Sequence, residues 1–310
     1  MAITGTGTQA DPYIVETWEE FKAHVSEAGV CIKIADGTIW NMNELEPAGC
    51  PTLTISAGDP ATLNIDGNGV VINDLYLPYD NCFFKGNGGY GKKIIKGFNF
   101  FNCRCDGVLF DAHNASYKEA NKQFQLYDTV VTGIFNRQIF QSNNDMYRFF
   151  YLERCGINVK LTGNNYLSSG TGFDAVNSHF NIIGENNTEK FFNNYYTSSG
   201  YYYDSDSSCR FANCYLGGEL KNPTNLRFRV DGTYTNNIFN IKVCEGSEIY
   251  IIETSDKGCN LINSDKIENC NVHASDGHSE KEFFSTINYV STTQLKNAEY
   301  LSSIGFPIGV

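Results

Sequence analysis

The sequence predicts an all-β protein in which short strands stack on one another as a solenoid. Runs of β-branched and aromatic residues end in an Asn or Cys turn and begin again roughly every 22–31 residues. The clearest copies cover residues 94–103, 149–155, 209–214, 237–244 and 260–270. Asn, Gly, Ser, Thr and Tyr are abundant, which is typical of strands and tight turns. A single copy cannot bury its apolar face, whereas stacked copies share one continuous core.

A short amphipathic helix is predicted ahead of the repeated strands. Thr17 and Glu20 have the spacing of a capping box, and Gly29 is the expected stop. Three apolar residues recur at helical spacing, namely Trp18, Phe21 and Val25. We expect this helix to cover the open end of the core, because an uncovered strand edge promotes aggregation.

The chain is predicted to be one elongated domain with three parts. Residues 1–29 hold an entry strand and the capping helix, residues 30–278 the stacked strands, and residues 279–310 a C-terminal cap and an apolar tail. In the last part, residues 282–290 are expected to form a final strand. Thr292 or Thr293 is expected to cap a short helix that runs to Leu301.

Two segments are candidates for contact with a partner or a glycan. The first combines crowded aromatic rings with an acidic loop and contains Tyr195, Tyr196, Tyr201, Tyr202, Tyr203, Asp204 and Asp206. The alternative for these rings is stacking between neighbouring strands. The second is the apolar C-terminus, which contains Phe306, Pro307, Ile308 and Val310. It is expected either to close the second end of the core or to dock into another subunit.

The eleven cysteines are expected to be reduced and buried, where a thiol acts as a small hydrophobic group. Four of them directly follow Asn and are predicted to stack in an internal ladder: Cys82, Cys103, Cys214 and Cys270. Cys103 and Cys105 lie two positions apart and therefore share a strand face. A metal or disulfide site at this pair is the alternative, although no further ligands stand at a recognisable spacing.

The first residues resemble a known family. Residues 5–21 resemble the entry motif of right-handed parallel β-helix proteins of the pectate-lyase-like superfamily, and residues 65–69 are similar to a first-coil turn found in many of them. The resemblance covers residues 5–275 and implies a right-handed, single-stranded parallel β-helix. The style rich in Asn and Tyr resembles virion-associated β-helix proteins of bacteriophages. That resemblance implies a structural or decoration protein of a capsid or tail surface, as a homo-oligomer and in particular a trimer.

The enzymes of this superfamily cleave acidic polysaccharides, and the resemblance makes a tailspike-like depolymerase or a glycan-binding protein the alternative function. The hydrolase signatures Asn-Thr-Asp, Asp-Asp, Gly-His-Gly and Arg-Ile-Lys are absent, as is the lyase motif Arg-x-Pro-x-x-Arg. Asp66 is expected to stabilise its own glycine-rich turn, and strand alternation separates Asp106 from Asp111. Asp204 and Asp206 lack the rest of a calcium loop. The sequence therefore argues against an enzyme and predicts no catalytic residue, metal or cofactor.

The charge pattern limits the class of partner. The net charge is −12 and no basic stripe offsets it, so nucleic-acid binding is not expected. No apolar run has transmembrane length, and the N-terminus does not have the pattern of a signal peptide. We therefore expect synthesis in the host cytoplasm, localisation to the virion, and capsid or tail proteins as partners, without membrane binding.

Overall fold

The computed structural model describes residues 3–57, 62–87, 91–112, 123–142, 148–163, 166–169, 172–184, 190–193, 210–220, 226–230, 237–243, 248–253, 260–267, 271–273, 287–304 and 306. In these residues the chain is mostly β-strand, which confirms the all-β prediction at this level. The described helices are α1 (Trp18–His24), α2 (Met42–Leu45), α3 (Thr292–Leu295) and α4 (Ala298–Ser303). A 3-10 helix covers Ser264–Lys266. Among these described helices, none has the length and apolar character needed to cross a membrane.

The described strands form two sheets. In chain order the strands are β1 (Tyr13–Val15), β2 (Cys31–Ile34), β3 (Ile39–Asn41), β4 (Leu53–Ile55), β5 (Leu63–Asn73), β6 (Tyr76–Leu77), β7 (Cys82–Gly86), β8 (Lys93–Cys105), β9 (Val108–Asp111), β10 (Phe124–Tyr127), β11 (Val130–Phe135), β12 (Phe140–Gln141), β13 (Arg148–Glu153), β14 (Gly156–Leu161), β15 (Tyr166–Ser169), β16 (Gly172–Val176), β17 (His179–Gly184), β18 (Lys190–Asn193), β19 (Arg210–Ala212), β20 (Tyr215–Leu220), β21 (Leu226–Val230), β22 (Ile238–Val243), β23 (Glu248–Glu253), β24 (Asn260–Asn263), β25 (Asn271–His273) and β26 (Ile287–Val290). Strands β4, β7, β9, β12, β15 and β18 form a six-stranded sheet, and the other twenty form one long sheet.

The pairs between described strands are parallel in both sheets, as the repeat predicts. The long sheet holds two rows of strands, which are continuous with each other through β5 and β8. Hydrogen bonds between successive repeats join, for example, Cys214 to Asn237, 23 positions apart, and Asn213 to Asn177, 36 positions apart. The separation of 36 positions exceeds the predicted repeat interval of roughly 22–31 residues, because residues 194–209 lie in sequence between these two repeats.

A column of left-handed residues marks the turn between the two rows of the long sheet. Its members have φ between 50° and 54° and are Asp128, Arg154, Asn177 and Asn213. The residues that follow them, Thr129, Cys155, Ser178 and Cys214, are buried, and backbone N–H groups at this position donate to side chains of the next repeat. For example, the Cys155 N–H donates to Ser178 Oγ at 3.1 Å, and the Cys214 N–H donates to Asn237 Oδ1 at 2.8 Å.

This geometry corrects the predicted cysteine ladder. Of the three described cysteines that follow Asn, only Cys214 follows a member of the left-handed column, and it aligns with Cys155, which follows Arg154. Cys82 lies in β7 of the other sheet, and Cys103 pairs with Gly133 further along the second row. Cys270 lies outside the described residues. The prediction failed because the same dipeptide occurs at different positions within the repeat.

Side chains of helix α1 pack against the first strands, as predicted. Thr17 Oγ1 accepts a hydrogen bond from the Glu20 N–H, which completes the capping box. Phe21 is fully buried and its ring contacts Trp40, Phe84 and Phe98. The helix ends at His24 instead of continuing to Gly29, so the predicted stop is wrong. The Gly29 N–H instead donates to Ser56 O at 2.8 Å, a long-range contact that local sequence does not show.

The C-terminal cap consists of two short helices where one was predicted. Ser291, and not Thr292 or Thr293, caps α3, and Asn297 caps α4. The predicted final strand is present as β26 at Ile287–Val290. Phe306 is 3% exposed and belongs to a small apolar cluster with three other buried residues, Ile238, Leu261 and Val290. Its ring therefore covers the last strands of the long sheet.

The main core runs along the inside of the strand rows. One continuous cluster of buried residues extends from Val15 in β1 to Ile262 in β24. Phenylalanine rings follow one another along it, with centroid separations of 6.2 Å between Phe84 and Phe110 and 5.7 Å between Phe110 and Phe140. Buried aromatic side chains of neighbouring parallel strands thus contact each other within one core.

Candidate functional site

The residues predicted to contact a glycan or a partner lie mostly outside the described part of the chain. Tyr195, Tyr196, Tyr201, Tyr202, Tyr203, Asp204 and Asp206 all fall within residues 194–209. Pro307, Ile308 and Val310 also lie outside it. Phe306 is buried, which favours the closing alternative for this residue over docking. The predicted contact roles of the other residues named in this paragraph stay predictions.

A cleft that was not predicted lies over β6, β8 and β11 and has a volume of about 640 Å³. Tyr76 in β6 pairs with Arg104 in β8, which in turn pairs with Ile134 in β11. These three side chains therefore lie in one row along the cleft. Polar and acidic residues surround the row, namely Glu46, Asp74, Asn102, Asp106 and Asn136.

Asp106 is held by two neutral donors from the neighbouring repeats. The Tyr76 hydroxyl donates to Asp106 Oδ2 at 3.2 Å, and Asn136 Nδ2 donates to Asp106 Oδ1 at 2.6 Å. Each donor is 30 residues from Asp106 in sequence. The hydrogen bond to this carboxylate and its negative charge raise the pKa of Tyr76, because both favour the neutral phenol. Tyr76 therefore stays a donor at neutral pH.

Hydrogen bonding extends this arrangement to a further repeat. Thr162, just after β14, donates its hydroxyl to Asn136 Oδ1, while Asn136 donates to Asp106. Tyr76, Asp106, Asn136 and Thr162 thus form one line of side chains across four successive repeats. A side chain that is already fixed by hydrogen bonds on both sides loses little further conformational freedom when a ligand binds.

The negative charge of Glu46, which lines the cleft, is balanced by the neighbouring Lys22. Lys22 Nζ lies 2.6 Å from Glu46 Oε1, and the Trp18 indole N–H donates to the same oxygen at 2.7 Å. Partial burial alone would raise the pKa of Glu46, but the hydrogen bonds from Lys22 and Trp18 outweigh it and lower the pKa. Glu46 is therefore ionised at neutral pH and paired with the Lys22 ammonium.

Two charged groups face the cleft without a side-chain partner among the residues that the structure describes. Asp74 and Arg104 are exposed, and neither side chain forms a hydrogen bond or ion pair with the residues that the structure describes. Arg104 offers N–H donors only, whereas the Asp74 carboxylate offers acceptors only. The cleft therefore presents free donors and free acceptors beside the exposed ring of Tyr76, which is 40% exposed.

Cys105 lies beneath the cleft and shares a strand face with Cys103, as predicted. Both thiols are buried, and burial together with the neighbouring Cys103 thiol raises the pKa of Cys105 well above its usual value. A protonated thiol is a poor nucleophile and a poor metal ligand. Within the described ranges, no group of three or more His, Cys, Asp or Glu residues has a metal-binding arrangement.

Asp106 and Asp111, considered above as a pair, are in different environments. Asp106 faces the cleft, whereas Asp111 is 4% exposed and accepts a hydrogen bond from Cys82 Sγ at 3.7 Å. The cleft itself was missed because its residues come from three strands and form no local motif. The one available signal was that Tyr76 and Arg104 occupy equivalent positions of two successive repeats, with Ile134 at that position in the next.

The fold and the cleft define a mostly β protein with long parallel sheets and a polar groove on one side. Comparison with known proteins adds no closer assignment, since no family model, no curated protein and no solved structure matches this chain.

Proposed function

We propose that the chain is a right-handed parallel β-helix that acts as a non-enzymatic structural protein of a bacteriophage particle. In this proposal it is a rigid element on a capsid or tail surface, forms a homo-oligomer, preferably a trimer, and docks to other virion proteins. The single observation that carries the proposal is the parallel pairing of the described strands over one main core.

The two ends of the strand stack support a role as a discrete rigid body. At the first end, Trp18 and Phe21 of α1 are buried against the aromatic core. At the other end, Phe306 and Val290 are buried in the C-terminal cluster. Covered ends limit pairing with strands of other chains, so association would use the sides of the stack or its loops.

The acidic composition also favours a structural role in an assembly. A net charge of −12 per chain gives mutual repulsion between free oligomers, which maintains solubility before assembly into a particle. It also favours partners whose surfaces are basic.

Mass spectrometry of bacteriophage particles purified from the source culture tests this proposal. The expected result is stoichiometric recovery of the chain with capsid or tail proteins, and multi-angle light scattering of the purified chain should give the mass of a trimer. Recovery of the chain only in the host fraction, and never with particles, would contradict the structural role.

The alternative function, a depolymerase, is tested by incubating the chain with host capsule and with uronate polymers. The structural proposal expects no release of reducing or unsaturated ends. Release that disappears in an Asp204→Asn/Asp206→Asn variant would favour the alternative and place the chemistry in the acidic loop.

A further inference from the structure

We propose that the cleft over β6, β8 and β11 binds a neutral saccharide through adjacent hydroxyl groups. This inference goes beyond the structural role proposed above and does not depend on it. It also differs from the glycan contact predicted from the sequence, which was placed on residues 195–206.

The size and lining of the cleft suit a small polar ligand. Its volume of about 640 Å³ lies within the range of roughly 300–1,000 Å³ that is usual for ligand pockets. The Tyr76 ring is 40% exposed and its hydroxyl is fixed by Asp106, so the ring presents a stable flat face. An aromatic face of this kind packs against the C–H face of a sugar ring, while the sugar hydroxyls remain free to bond elsewhere.

The free polar groups match the hydroxyls of a sugar. A hydroxyl both donates and accepts, so a pair of adjacent hydroxyls is satisfied by one donor group and one acceptor group. The Arg104 guanidinium supplies donors in a fixed fork, and the Asp74 carboxylate supplies acceptors. The Asn102 amide, which also lines the cleft, supplies one of each. None of these three side chains is bonded to another described residue.

The charge of the cleft favours a neutral ligand over an acidic one. Lys22 compensates Glu46, and Arg104 compensates only one of the two remaining carboxylates, Asp74 and Asp106. The cleft thus keeps a net negative charge in a chain that is itself strongly acidic. A uronate or a phosphate would be repelled, whereas an uncharged polyhydroxylated ligand would not.

Isothermal titration calorimetry with defined trisaccharides tests the proposal. The neutral probes are maltotriose, cellotriose, mannotriose and N,N′,N″-triacetylchitotriose, and the acidic probe is trigalacturonate. The expected result is saturable binding of at least one neutral probe in the millimolar range or tighter, with weaker or no binding of trigalacturonate.

Two variants test whether the neutral saccharide binds in the cleft. Tyr76→Ala removes the aromatic face, and Arg104→Met removes the donors while retaining the aliphatic stem. Each should weaken the bound neutral probe at least about tenfold. The matched control is Tyr289→Ala, which removes an exposed tyrosine in β26 and should leave the affinity unchanged. Thermal unfolding of each variant, at a midpoint close to that of the original chain, shows that the fold is retained.

Three results would overturn the proposal: no binding of any neutral probe, tighter binding of trigalacturonate than of every neutral probe, or full affinity in both cleft variants. The last result would show that a neutral saccharide binds elsewhere on the chain. If Tyr76→Ala fails to fold, Arg104→Met alone decides, because its exposed side chain has no described partner.

Discussion

Asn181 Nδ2 donates to Asn158 Oδ1 at 2.8 Å, although the two residues are 23 positions apart in sequence. The same position in the next repeats holds Gly217 and then Asn240. A Cβ atom at Gly217 would lie 2.6 Å from Tyr215 Cε1, so the Tyr215 ring occupies the space of the missing side chain. The Asn240 amide then donates to the Tyr215 hydroxyl at 2.7 Å. The polar side chains on the outer face of the sheet therefore recur at equivalent positions of successive repeats, as the buried side chains do.

Replacing Gly133 should destabilise the fold more than replacing a neighbouring glycine. Gly133 has a φ of +143°, and a Cβ there would lie 2.2 Å from Cys103 O, a backbone atom that cannot move aside freely. We expect Gly133→Ala to cost about 3 kcal/mol or more in unfolding free energy. The control Gly156→Ala, whose Cβ would be 3.8 Å from Val130 Cγ2, should cost less than about 1 kcal/mol. Equal urea midpoints for the two variants would contradict this prediction.

Asn237 should contribute to stability through its bonds to the backbone. It is fully buried, accepts from the Cys214 N–H at 2.8 Å and donates to Phe211 O at 3.1 Å. Asn237→Ala leaves a buried N–H without this acceptor, which should cost about 1–3 kcal/mol. The exposed Asn158 serves as control, since Asn158→Ala should cost less than about 1 kcal/mol. Denaturant unfolding of both variants measures the difference, and a smaller loss for Asn237→Ala would be inconsistent with the bonds described.

Lys93 should make stability rise at alkaline pH. The side chain is 2% exposed, and burial lowers its pKa to about 8. Its one hydrogen bond among the described residues is a contact of 3.5 Å to Gly91 O. Between pH 8 and the unfolded pKa of 10.5, the unfolded state binds the additional proton, so unfolding becomes less favourable as pH increases.

Lys93→Met should therefore stabilise the chain at pH 7 by up to about 3 kcal/mol and remove this part of the alkaline increase. Lys96→Met is the control, because the Lys96 side chain is 43% exposed and its Nζ lies 3.0 Å from Asp66 Oδ2. The measurement is urea unfolding of the three proteins at pH 7 and pH 10. A Lys93→Met variant with the same pH dependence as the original chain would disprove the role of Lys93.

The described cysteines should resist alkylation while the chain is folded. All seven are buried: Cys31, Cys50, Cys82, Cys103, Cys105, Cys155 and Cys214. Burial raises the pKa of Cys155 and Cys214 to about 12, so almost no thiolate is present at pH 8. Iodoacetamide labelling followed by peptide mass spectrometry should find these seven unmodified in buffer and all eleven cysteines modified in urea. Rapid labelling of Cys155 in the native chain would show that the strands around this residue open.

Local sequence signals predicted local structure well. The capping box of Thr17 and Glu20 is present, and the Asn68 N–H donates to Asp66 Oδ1 at 3.0 Å, as expected for a turn stabilised by its own aspartate. The repeat predicted parallel strands with a shared core. The failures are small local shifts, such as the cap of α3 at Ser291 instead of Thr292 or Thr293, and contacts between distant residues, such as the bond from Gly29 to Ser56. The cleft was missed for the same reason, since Tyr76 and Asn136 meet Asp106 only after successive repeats have stacked.

The register between successive repeats is the basis of the whole account, and disulfide formation between Asn158 and Asn181 tests it most directly. In parallel strands, directly paired Cα atoms are about 4.8 Å apart, within the range a disulfide spans, whereas positions offset by two residues are about 8 Å apart. Asn158→Cys/Asn181→Cys should therefore form the new disulfide on mild oxidation, as mapped by peptide mass spectrometry. The offset pair Asn158→Cys/Ile183→Cys should remain reduced. A disulfide in the offset pair and none in the aligned pair would contradict the parallel stacking described here.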